Sequence, residues 1–389
     1  MNCVQLGMIA DLRAGFGFPR EFQGRTGGDY PFAKVGDISR AGRSGLIVLD
    51  TADHYVDEMD LARLKSRPVP PGSTLFAKIG EAIRQEHRVM AGCPMIIDNN
   101  AMAAVPKNGV NPQYLFRLMQ TIKLYDIASS TTVPSIRKSD LEATSVSLPS
   151  LDEQRRIADI LGKVDALRAK CREAINHLDA LSQSVFHAMF DDSNAALQST
   201  LSDVLRNGLR NGLSPSTSGT VRGEVLTLSA ITGSELDLTQ KKVGLFDHDF
   251  RTTQIVRPGQ ILICRGNGNK ELVGKGKIVR EISDEVGFPD TIISGDINTD
   301  IVDPAFLQAV WDSPDVRGQI AQGSRTTNGT FKVNQTLLRS ISFPLPPMGL
   351  QQEFAGRVSA IQSLKATHRA QLGQLENLFL SLQDRAFKG

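Results

Sequence analysis

The stretch Leu148–Ile157, LPSLDEQRRI, is followed 197 residues later by Leu345–Phe354, LPPMGLQQEF. The two stretches share a Leu-Pro pair and a Gln, and the correspondence continues without a gap into the residues that follow. At this displacement the matching pairs include Leu167 and Leu364, Leu178 and Leu375, Leu181 and Leu378, and Phe190 and Phe387. A repeat of this length in a chain of 389 residues indicates the duplication of a whole domain.

The segments upstream of each stretch also correspond. VPPGSTLFAKIG at Val69–Gly80 resembles VRPGQILICRG at Val256–Gly266, and SSTTVPSIRKSDL at Ser129–Leu141 resembles GSRTTNGTFKVNQTLL at Gly323–Leu338. Short apolar runs broken by Gly, Pro and Asp, among them PFAKVGDI, STLFAKIG, PMIIDNN, QILICRG and DTIISGDINTDIV, indicate strands. NPQYLFRLMQTIK and DPAFLQAVWDS indicate one helix in each half. We therefore expect two mixed, mostly β domains.

A long helix is predicted after each domain. Ser150 and Glu153 have the spacing of a capping box, so the first helix should begin near Leu151. Apolar residues then recur at alternating spacings of four and three, as in a coiled coil, in both copies. The residues predicted to pair the two helices are Ile160, Val164, Leu167, Leu178, Leu181, Ile361, Leu364, Leu375 and Leu378.

The predicted fold class is α+β, with two mostly β domains separated by two long helices that pair as an antiparallel coiled coil. The segments are 1–148, 149–192, 193–344 and 345–389. The alternative is that each helix is an amphipathic core helix of its own domain. Two matching apolar patterns in one chain favour pairing.

The composition limits the classes of protein. The chain is 40% apolar and 22% charged, which is typical of globular domains and excludes a disordered chain. Lys and Arg number 44 against 42 Asp and Glu, so any nucleic-acid surface must be local. The four cysteines are isolated, and no leader or membrane-spanning pattern occurs, so we expect a cytoplasmic protein with no membrane partner.

Patterns typical of catalytic sites are not found. GNGNKELVGKGK at Gly266–Lys277 does not have the spacing of a phosphate-binding P-loop, and Gly15-Phe16-Gly17 lacks the third glycine of a dinucleotide site. No lysine follows an acidic residue at the spacing of metal-dependent nucleases, and no metalloprotease, esterase or deaminase pattern occurs. We interpret the chain as non-catalytic.

These motifs together resemble the specificity subunits of type I restriction-modification systems. The resemblance rests on both helix starts, the TTNGTFKVNQTLL segment, GDYPFAKVGDI and VRPGQILICRG. It implies that 1–148 and 193–344 are target recognition domains, each for one half of a bipartite sequence in double-stranded DNA. It implies that 149–192 and 345–389 are spacer helices at which two modification subunits dock. Those subunits would hold S-adenosylmethionine, restriction subunits would join the complex, and this chain would need no cofactor or metal.

Candidate DNA contacts are basic or amide residues in Gly-rich or Asn-rich loops or at strand ends. They are Arg20, Arg25, Lys34, Arg40, Arg43 and Lys78 in the first domain, and Arg251, Arg265, Asn267, Lys270, Lys275, Arg325 and Lys332 in the second. For each of them a solvated surface cation or amide is the competing interpretation. The competing function is a non-catalytic coiled-coil scaffold with two protein-binding domains.

Overall fold

The computed structural model describes residues 2–129, 133–190, 197–327 and 329–387. The chain divides into two compact units. The first comprises Met1–Ala174 and His368–Gly389, and the second comprises Ile175–Thr367. None of the described helices is both long enough and apolar enough to cross a lipid bilayer.

The first unit contains short strands, short helices and part of each long helix. Its strands are β1 (Asn2–Gln5), β2 (Ala10–Ala14), β3 (Tyr30–Ala33), β4 (Val48–Leu49), β5 (Tyr55–Val56), β6 (Thr74–Ala77), β7 (Arg88–Ala91), β8 (Ile96–Ile97), β9 (Ala101–Pro106) and β10 (Ser145–Leu148). Its helices are α1 (Leu6–Ile9), α2 (Val35–Arg43), α3 (Glu58–Leu64), α4 (Pro112–Thr121), α5 (Leu124–Ile127), α6 (Lys138–Glu142) and the first part of α7 (Leu151–Phe190).

The main sheet of the first unit has the strand order β2-β9-β6-β7-β4, and β5-β3-β8 form a smaller sheet. The central strands β6 and β9 are antiparallel and almost fully buried, as expected for continuous apolar runs. The helix α4 begins with Pro112, and the Asn111 side chain accepts a hydrogen bond from the Tyr114 backbone N–H (2.9 Å). Its apolar face packs on the sheet and on α7 in one core.

The second unit repeats this plan. Its strands are β11 (Leu197–Thr200), β12 (Arg210–Asn211), β13 (Val221–Leu226), β14 (Lys241–Phe246), β15 (Gln260–Cys264), β16 (Gly266–Asn267), β17 (Gly276–Ile278), β18 (Ile292–Asp296), β19 (Arg325–Thr327), β20 (Thr330–Lys332) and β21 (Ser342–Leu345). Its helices, besides the last part of α7, are α8 (Ser229–Thr232), α9 (Pro304–Trp311), α10 (Pro314–Gly323), α11 (Gln335–Ser340) and the first part of α12 (Met348–Phe387).

The sheets of the second unit have the orders β12-β18-β15-β17 and β16-β20-β19, and β13 and β14 form a separate ribbon. The antiparallel pair β15 and β18 corresponds to β6 and β9. The helix α9 corresponds to α4, and it too begins with Pro after a capping side chain, here Asp303. Both helices lie where the sequence predicts them. PFAKVGDI is only partly a strand, because α2 begins at Val35.

Backbone contacts confirm that the two units are copies of one plan. The N–H of Gly15 donates to the Ala101 carbonyl, and the N–H of Gly212, 197 residues later, donates to the Ile292 carbonyl, both at 3.2 Å. A Cβ on either glycine would overlap a backbone carbonyl, of Asp98 in the first unit and of Phe288 in the second. Glycine is therefore required at both positions.

The helix α7 begins at Leu151, as predicted, but only half of the predicted capping box forms. The Ser150 hydroxyl accepts from the Glu153 backbone N–H at 3.4 Å. The Glu153 carboxylate instead pairs with Arg156 (3.3 Å) on the next turn of the helix.

The long helices pair antiparallel within each unit, which confirms the predicted coiled coil. In the first unit Arg172 pairs with Glu376 (3.1 Å), and Arg168, one turn earlier on α7, lies over the Phe379 ring, farther along α12 (4.8 Å). In the second unit Lys365 pairs with Asp179. There Phe190, near the end of α7, packs on Phe354 near the start of α12, with ring centroids 5.5 Å apart.

The structure corrects four of the nine predicted pairing residues. Val164 and Ile361 are buried, and Ile160, Leu178 and Leu375 are partly buried. The other four, namely Leu167, Leu181, Leu364 and Leu378, keep 50%, 47%, 53% and 46% of their surface exposed. Each interface contains a second line of buried or partly buried residues, which lies one residue after the positions that the apolar pattern selects. These residues are Leu161, Arg168, Ile175 and Ser182 on α7 and Val358, Lys365, Leu372 and Phe379 on α12.

The physical reason is that charged side chains occupy the second line. Arg168 stacks on Phe379 and pairs with Asp165 (2.6 Å), and Lys365 is only 4% exposed because it pairs with Asp179 and Glu235. A pattern that counts apolar residues alone shifts to the neighbouring leucines, since it scores an arginine or lysine as solvent-facing.

One buried glutamine at the start of each long helix fastens the globular part of its unit. The side-chain oxygen of Gln154 accepts from the Asn111 N–H (2.8 Å), and its nitrogen donates to the carbonyls of Pro149 (3.0 Å) and Gly109 (3.3 Å).

The second unit repeats this set of bonds. Gln351 accepts from the Asp303 N–H (2.8 Å) and donates to the carbonyls of Pro346 (2.8 Å) and Ile301 (3.3 Å). Gln154 and Gln351 are each 1% exposed. These contacts account for the recurrence of Gln at the two helix starts.

We predict that Gln351→Ala lowers the free energy of unfolding by about 1–3 kcal/mol, because it leaves the Asp303 N–H and two carbonyls buried without a partner. Urea unfolding measures the change. Gln352→Ala is the matched control. Gln352 is the next residue and is exposed, so the loss of its side chain should change stability by less than about 0.5 kcal/mol. Equal effects of the two substitutions would contradict this role.

A second prediction concerns pH. The Arg210 guanidinium donates to both oxygens of Asp296 (2.7 and 2.5 Å) and lowers the pKa of that carboxyl from 3.8 to about 2. A lowered pKa means that the stabilisation is complete above the unfolded-state pKa and is lost as the pH falls toward 2. Asp296→Asn should therefore cost about 2 kcal/mol near pH 6 and about half as much at pH 3.

Urea unfolding of both proteins across this pH range measures the difference, with Asp300→Asn, an exposed position, as the control. A difference that stays constant with pH would show that the Asp296 carboxylate is not held as described.

Candidate nucleic-acid interface

The buried glutamines define two ends of each main sheet. The strand β9 ends at Pro106, shortly before Gly109, whose carbonyl is bound by Gln154. Because β6 is antiparallel to β9, Lys78, which follows β6, lies at the opposite end. We call the end near the glutamine the proximal end and the other end the distal end. The same argument places Arg265, which follows β15, at the distal end of the second sheet.

Lys78 and Arg265 occupy equivalent positions in the two units. The Lys78 N–H donates to the Asn100 carbonyl and the Lys78 carbonyl accepts from the Ile136 N–H (2.7 and 3.0 Å). The corresponding bonds of Arg265 involve Thr291 and Val333, both at 2.9 Å.

The structure brings four predicted residues of the second unit together at the distal end. Arg265 leads into β16, which contains Asn267, and β16 pairs with β20, which ends at Lys332. On its other side β20 pairs with β19, which begins at Arg325. Lys270 is exposed in the turn that follows β16.

Two cations of this small sheet face each other. Arg325 and Lys332 are directly opposite in the register of β19 and β20, and both are exposed. Neither forms an ion pair with a carboxylate in the part of the chain that the structure describes. Like charges directly opposite each other destabilise a strand pair. The arrangement is therefore suited to an external anion that lies across both side chains.

Two of the predicted cations of the second unit already donate hydrogen bonds to backbone carbonyls, which makes them less available to a ligand. The Lys275 ammonium donates to the Thr232 carbonyl (3.2 Å), and the Arg265 guanidinium donates to the Asp290 carbonyl (3.2 Å) while remaining partly exposed. Arg251 is exposed at the start of the turn Thr252–Gln254.

In the first unit, two predicted residues are engaged inside the fold. Arg25 pairs with Asp57 and with Asp60 (2.8 Å), and the Arg40 guanidinium makes two hydrogen bonds to Asp53 (2.7 and 2.5 Å). These pairs stabilise the loops around α2 and α3. Both arginines remain partly or largely exposed, but their charges are neutralised.

The remaining predicted residues of the first unit differ in position. Lys34 places its ammonium 3.5 Å from the centre of the Phe18 ring, a cation–π contact. Arg20 and Arg43 are exposed. Lys78 is partly exposed at the distal end.

The sequence reasoning missed polar residues at the distal end of the first unit. Asn99 and Asn100 are exposed in the turn between β8 and β9, next to Lys78. Beside them burial raises the pKa of the Asp98 carboxyl, which is 6% exposed. The only signal in the sequence was the Asp-Asn-Asn triplet at the end of an apolar run.

The described residues contain no group of three or more His, Cys, Asp or Glu side chains arranged to hold a metal ion.

The first half of the chain is similar to a known protein family. Residues 1–177 match the family model described as the type I restriction modification DNA specificity domain. The specificity domain is thus matched by 177 of the 389 residues of the chain. The resemblance indicated by the sequence motifs is thereby confirmed.

Two curated relatives are specificity subunits of type I restriction enzymes, and their similarity extends over a larger part of the chain. The type I restriction enzyme StySPI specificity subunit of Salmonella potsdam is 23% identical over 315 residues, which cover 73% of this chain and 66% of that protein. The EcoKI specificity subunit of Escherichia coli K12 is 22% identical over 294 residues, 69% of this chain and 62% of that protein. The chain thus matches just under two thirds of the length of these relatives. Their names describe specificity subunits, in agreement with the interpretation of a non-catalytic chain.

Solved structures agree on the fold of the specificity subunits. The S subunit from M. genitalium superposes with a TM-score of 0.57 at 13% identity, covering 99% of this chain and 96% of that one. A chain from a study of complex assembly and conformational transition in a type I system gives a TM-score of 0.56 at 17% identity, covering 99% and 97%. Both support the α+β fold with paired long helices.

Proposed function

We propose that this chain is the DNA sequence-recognition subunit of a type I restriction-modification complex. The predicted segments 1–148 and 193–344 each contact one half of a bipartite target in double-stranded DNA. The chain performs no catalysis itself. Methyl transfer belongs to modification subunits that hold S-adenosylmethionine, and restriction subunits complete the assembly, in a cytoplasmic complex.

The observation that supports DNA binding most directly is the cation pair Arg325 and Lys332 at the distal end of the second unit. A phosphate backbone would relieve the repulsion between the two side chains and release its own counterions. Asn267 lies on the same small sheet and Arg265 directly precedes its strand β16. Arginine and asparagine side chains are suited to contact base edges. The scaffold alternative is not favoured, because the curated relatives are named specificity subunits.

The exposed leucines of the long helices support docking of modification subunits. In the first unit Leu167 and Leu378 line a groove of about 650 Å³ together with Cys171, Ala174 and Leu375. Leu364 and Leu181, the residues 197 positions from them in the repeat, are exposed in the second unit. One equivalent apolar patch in each unit supports two modification subunits, and the paired helices then also act as the spacer.

We predict that Lys332→Glu weakens DNA binding without destabilising the protein. The substitution replaces a repulsive cross-strand pair by an attractive one, so stability should stay equal or rise by about 0.2–1 kcal/mol. Affinity for a duplex should fall at least about tenfold at 150 mM salt, and the salt dependence should become shallower by about one counterion.

Fluorescence anisotropy with the full-length chain and its modification subunit, over a series of salt concentrations, measures both quantities. The control is Arg280→Glu, an exposed cation that follows β17 at the proximal end of the main sheet of the second unit, which should leave affinity nearly unchanged. An unchanged affinity for Lys332→Glu would count against this interface.

We predict that Leu167→Ser combined with Leu378→Ser reduces the number of bound modification subunits from two to one. Loss of one apolar patch should affect one docking site, and Leu181→Ser with Leu364→Ser should do the same for the other. Native mass spectrometry of the assembled complex counts the subunits.

Leu380→Ser is the control, because Leu380 is 61% exposed on α12 but does not line the groove. If both double variants still bound two modification subunits, the docking sites would lie elsewhere.

A further inference from the structure

The distal end of the first unit carries two amide side chains that the fold does not need. They belong to the turn Asp98–Ala101, whose sequence is DNNA and in which the Ala101 N–H donates to the Asp98 carbonyl (2.9 Å). Asparagine is common in turns because it tolerates positive φ angles. Neither Asn99 nor Asn100 has a positive φ; among non-glycine residues in the described part of the chain, only Lys65 and Glu86 do. The backbone of this turn therefore does not require asparagine.

The two amides make only one long hydrogen bond inside the described part of the protein. The Asn99 side chain has no hydrogen-bond partner among the described residues, and the Asn100 amide nitrogen lies 3.5 Å from the Asp98 carboxylate, at the limit of a hydrogen bond. Both residues are exposed. Their donors and acceptors remain open to a ligand.

The turn itself is firmly attached. The Asn100 carbonyl accepts from the N–H groups of Lys78 (2.7 Å) and Ile79 (3.2 Å), and the Asp98 N–H donates to the Ala33 carbonyl (3.0 Å). Asp98 is 6% exposed, and one of its carboxylate oxygens has no partner in the described structure. A recognition group held on rigid backbone loses little entropy on binding, which favours specificity.

The equivalent position of the second unit has different chemistry. There the carbonyl that accepts from Arg265 belongs to Thr291, which follows Asp290. The common plan of the two units thus places an amide pair beside Lys78 and an acid-hydroxyl pair beside Arg265. An asparagine can make two hydrogen bonds to the N6 and N7 atoms of adenine in the major groove, which neither Asp nor Thr can do.

We propose that Asn99 and Asn100 contact base edges in the half-site of the first unit and favour adenine there. Lys78 beside them binds the neighbouring phosphate. This assignment rests on the proposed function, and it names the residues through which the first unit selects its half-site.

The test uses the full-length chain in complex with its modification subunit and a duplex library in which both half-sites are random. Asn99→Ala combined with Asn100→Ala should reduce discrimination about 5- to 150-fold at one or two base pairs, at which the wild type selects adenine. The other half-site and the salt dependence of binding should not change. A second variant, Asn99→Ser with Asn100→Ser, keeps residues that suit a turn and guards against a folding defect.

Asn108→Ala is the matched control. Asn108 is an exposed asparagine at the proximal end of the same strand, beyond Pro106, so its loss should leave selectivity intact. Unchanged selection by both double variants would overturn the assignment, as would relaxation of both half-sites together or an equal effect of Asn108→Ala. A wild-type complex that enriches no bipartite sequence would instead overturn the proposed function, so the two failures are distinguishable.

Discussion

A single buried amide fastens the globular part of each unit to the helices. Gln154 and Gln351 each satisfy three backbone groups that would otherwise be buried without partners, one on the turn before α4 or α9 and two on neighbouring loops. A glutamine is suited to this place because its side chain offers a donor and an acceptor without a charge. The proximal end of each sheet is thereby committed to the helices, and the distal end is left for recognition.

The periodic apolar pattern predicted that the long helices pair, but not all of the residues at their interface. The start of α7 at Leu151 was predictable from the Ser150 cap, and the antiparallel pairing from two matching four-and-three patterns separated by a globular domain. The second line of the interface was not, because Arg168 and Lys365 occupy it. Arg168 stacks on Phe379 of the other long helix and pairs with Asp165 one turn earlier on α7, and Lys365 pairs with Asp179 of the other helix. The leucines that the pattern selected instead remain partly exposed.

The same physics limits prediction of the interface. Pairing of the three strands of one small sheet brings together Arg265, Asn267, Arg325 and Lys332. The sequence indicated these residues because they lie in segments rich in Gly, Asn and Thr. Arg25 and Arg40 look equally available in the sequence, yet each pairs with carboxylates from residues 13 to 35 positions away. Only the folded chain shows which cations are already neutralised. Asn99 and Asn100 were missed for the opposite reason, since a turn accounts for asparagines until their φ angles are known.

The duplicated plan separates what must stay constant from what can vary. Gly15 and Gly212, together with Gln154 and Gln351, support the common framework, and substitution at any of them creates an overlap or buries unsatisfied groups. The distal turns are held mainly by backbone hydrogen bonds, which most side chains permit. Side chains there can therefore change at little cost in stability, as the difference between Asn99-Asn100 and Asp290-Thr291 illustrates. A framework of this kind would allow two copies of one domain to present different side chains at equivalent positions, as the proposed recognition of two half-sites requires.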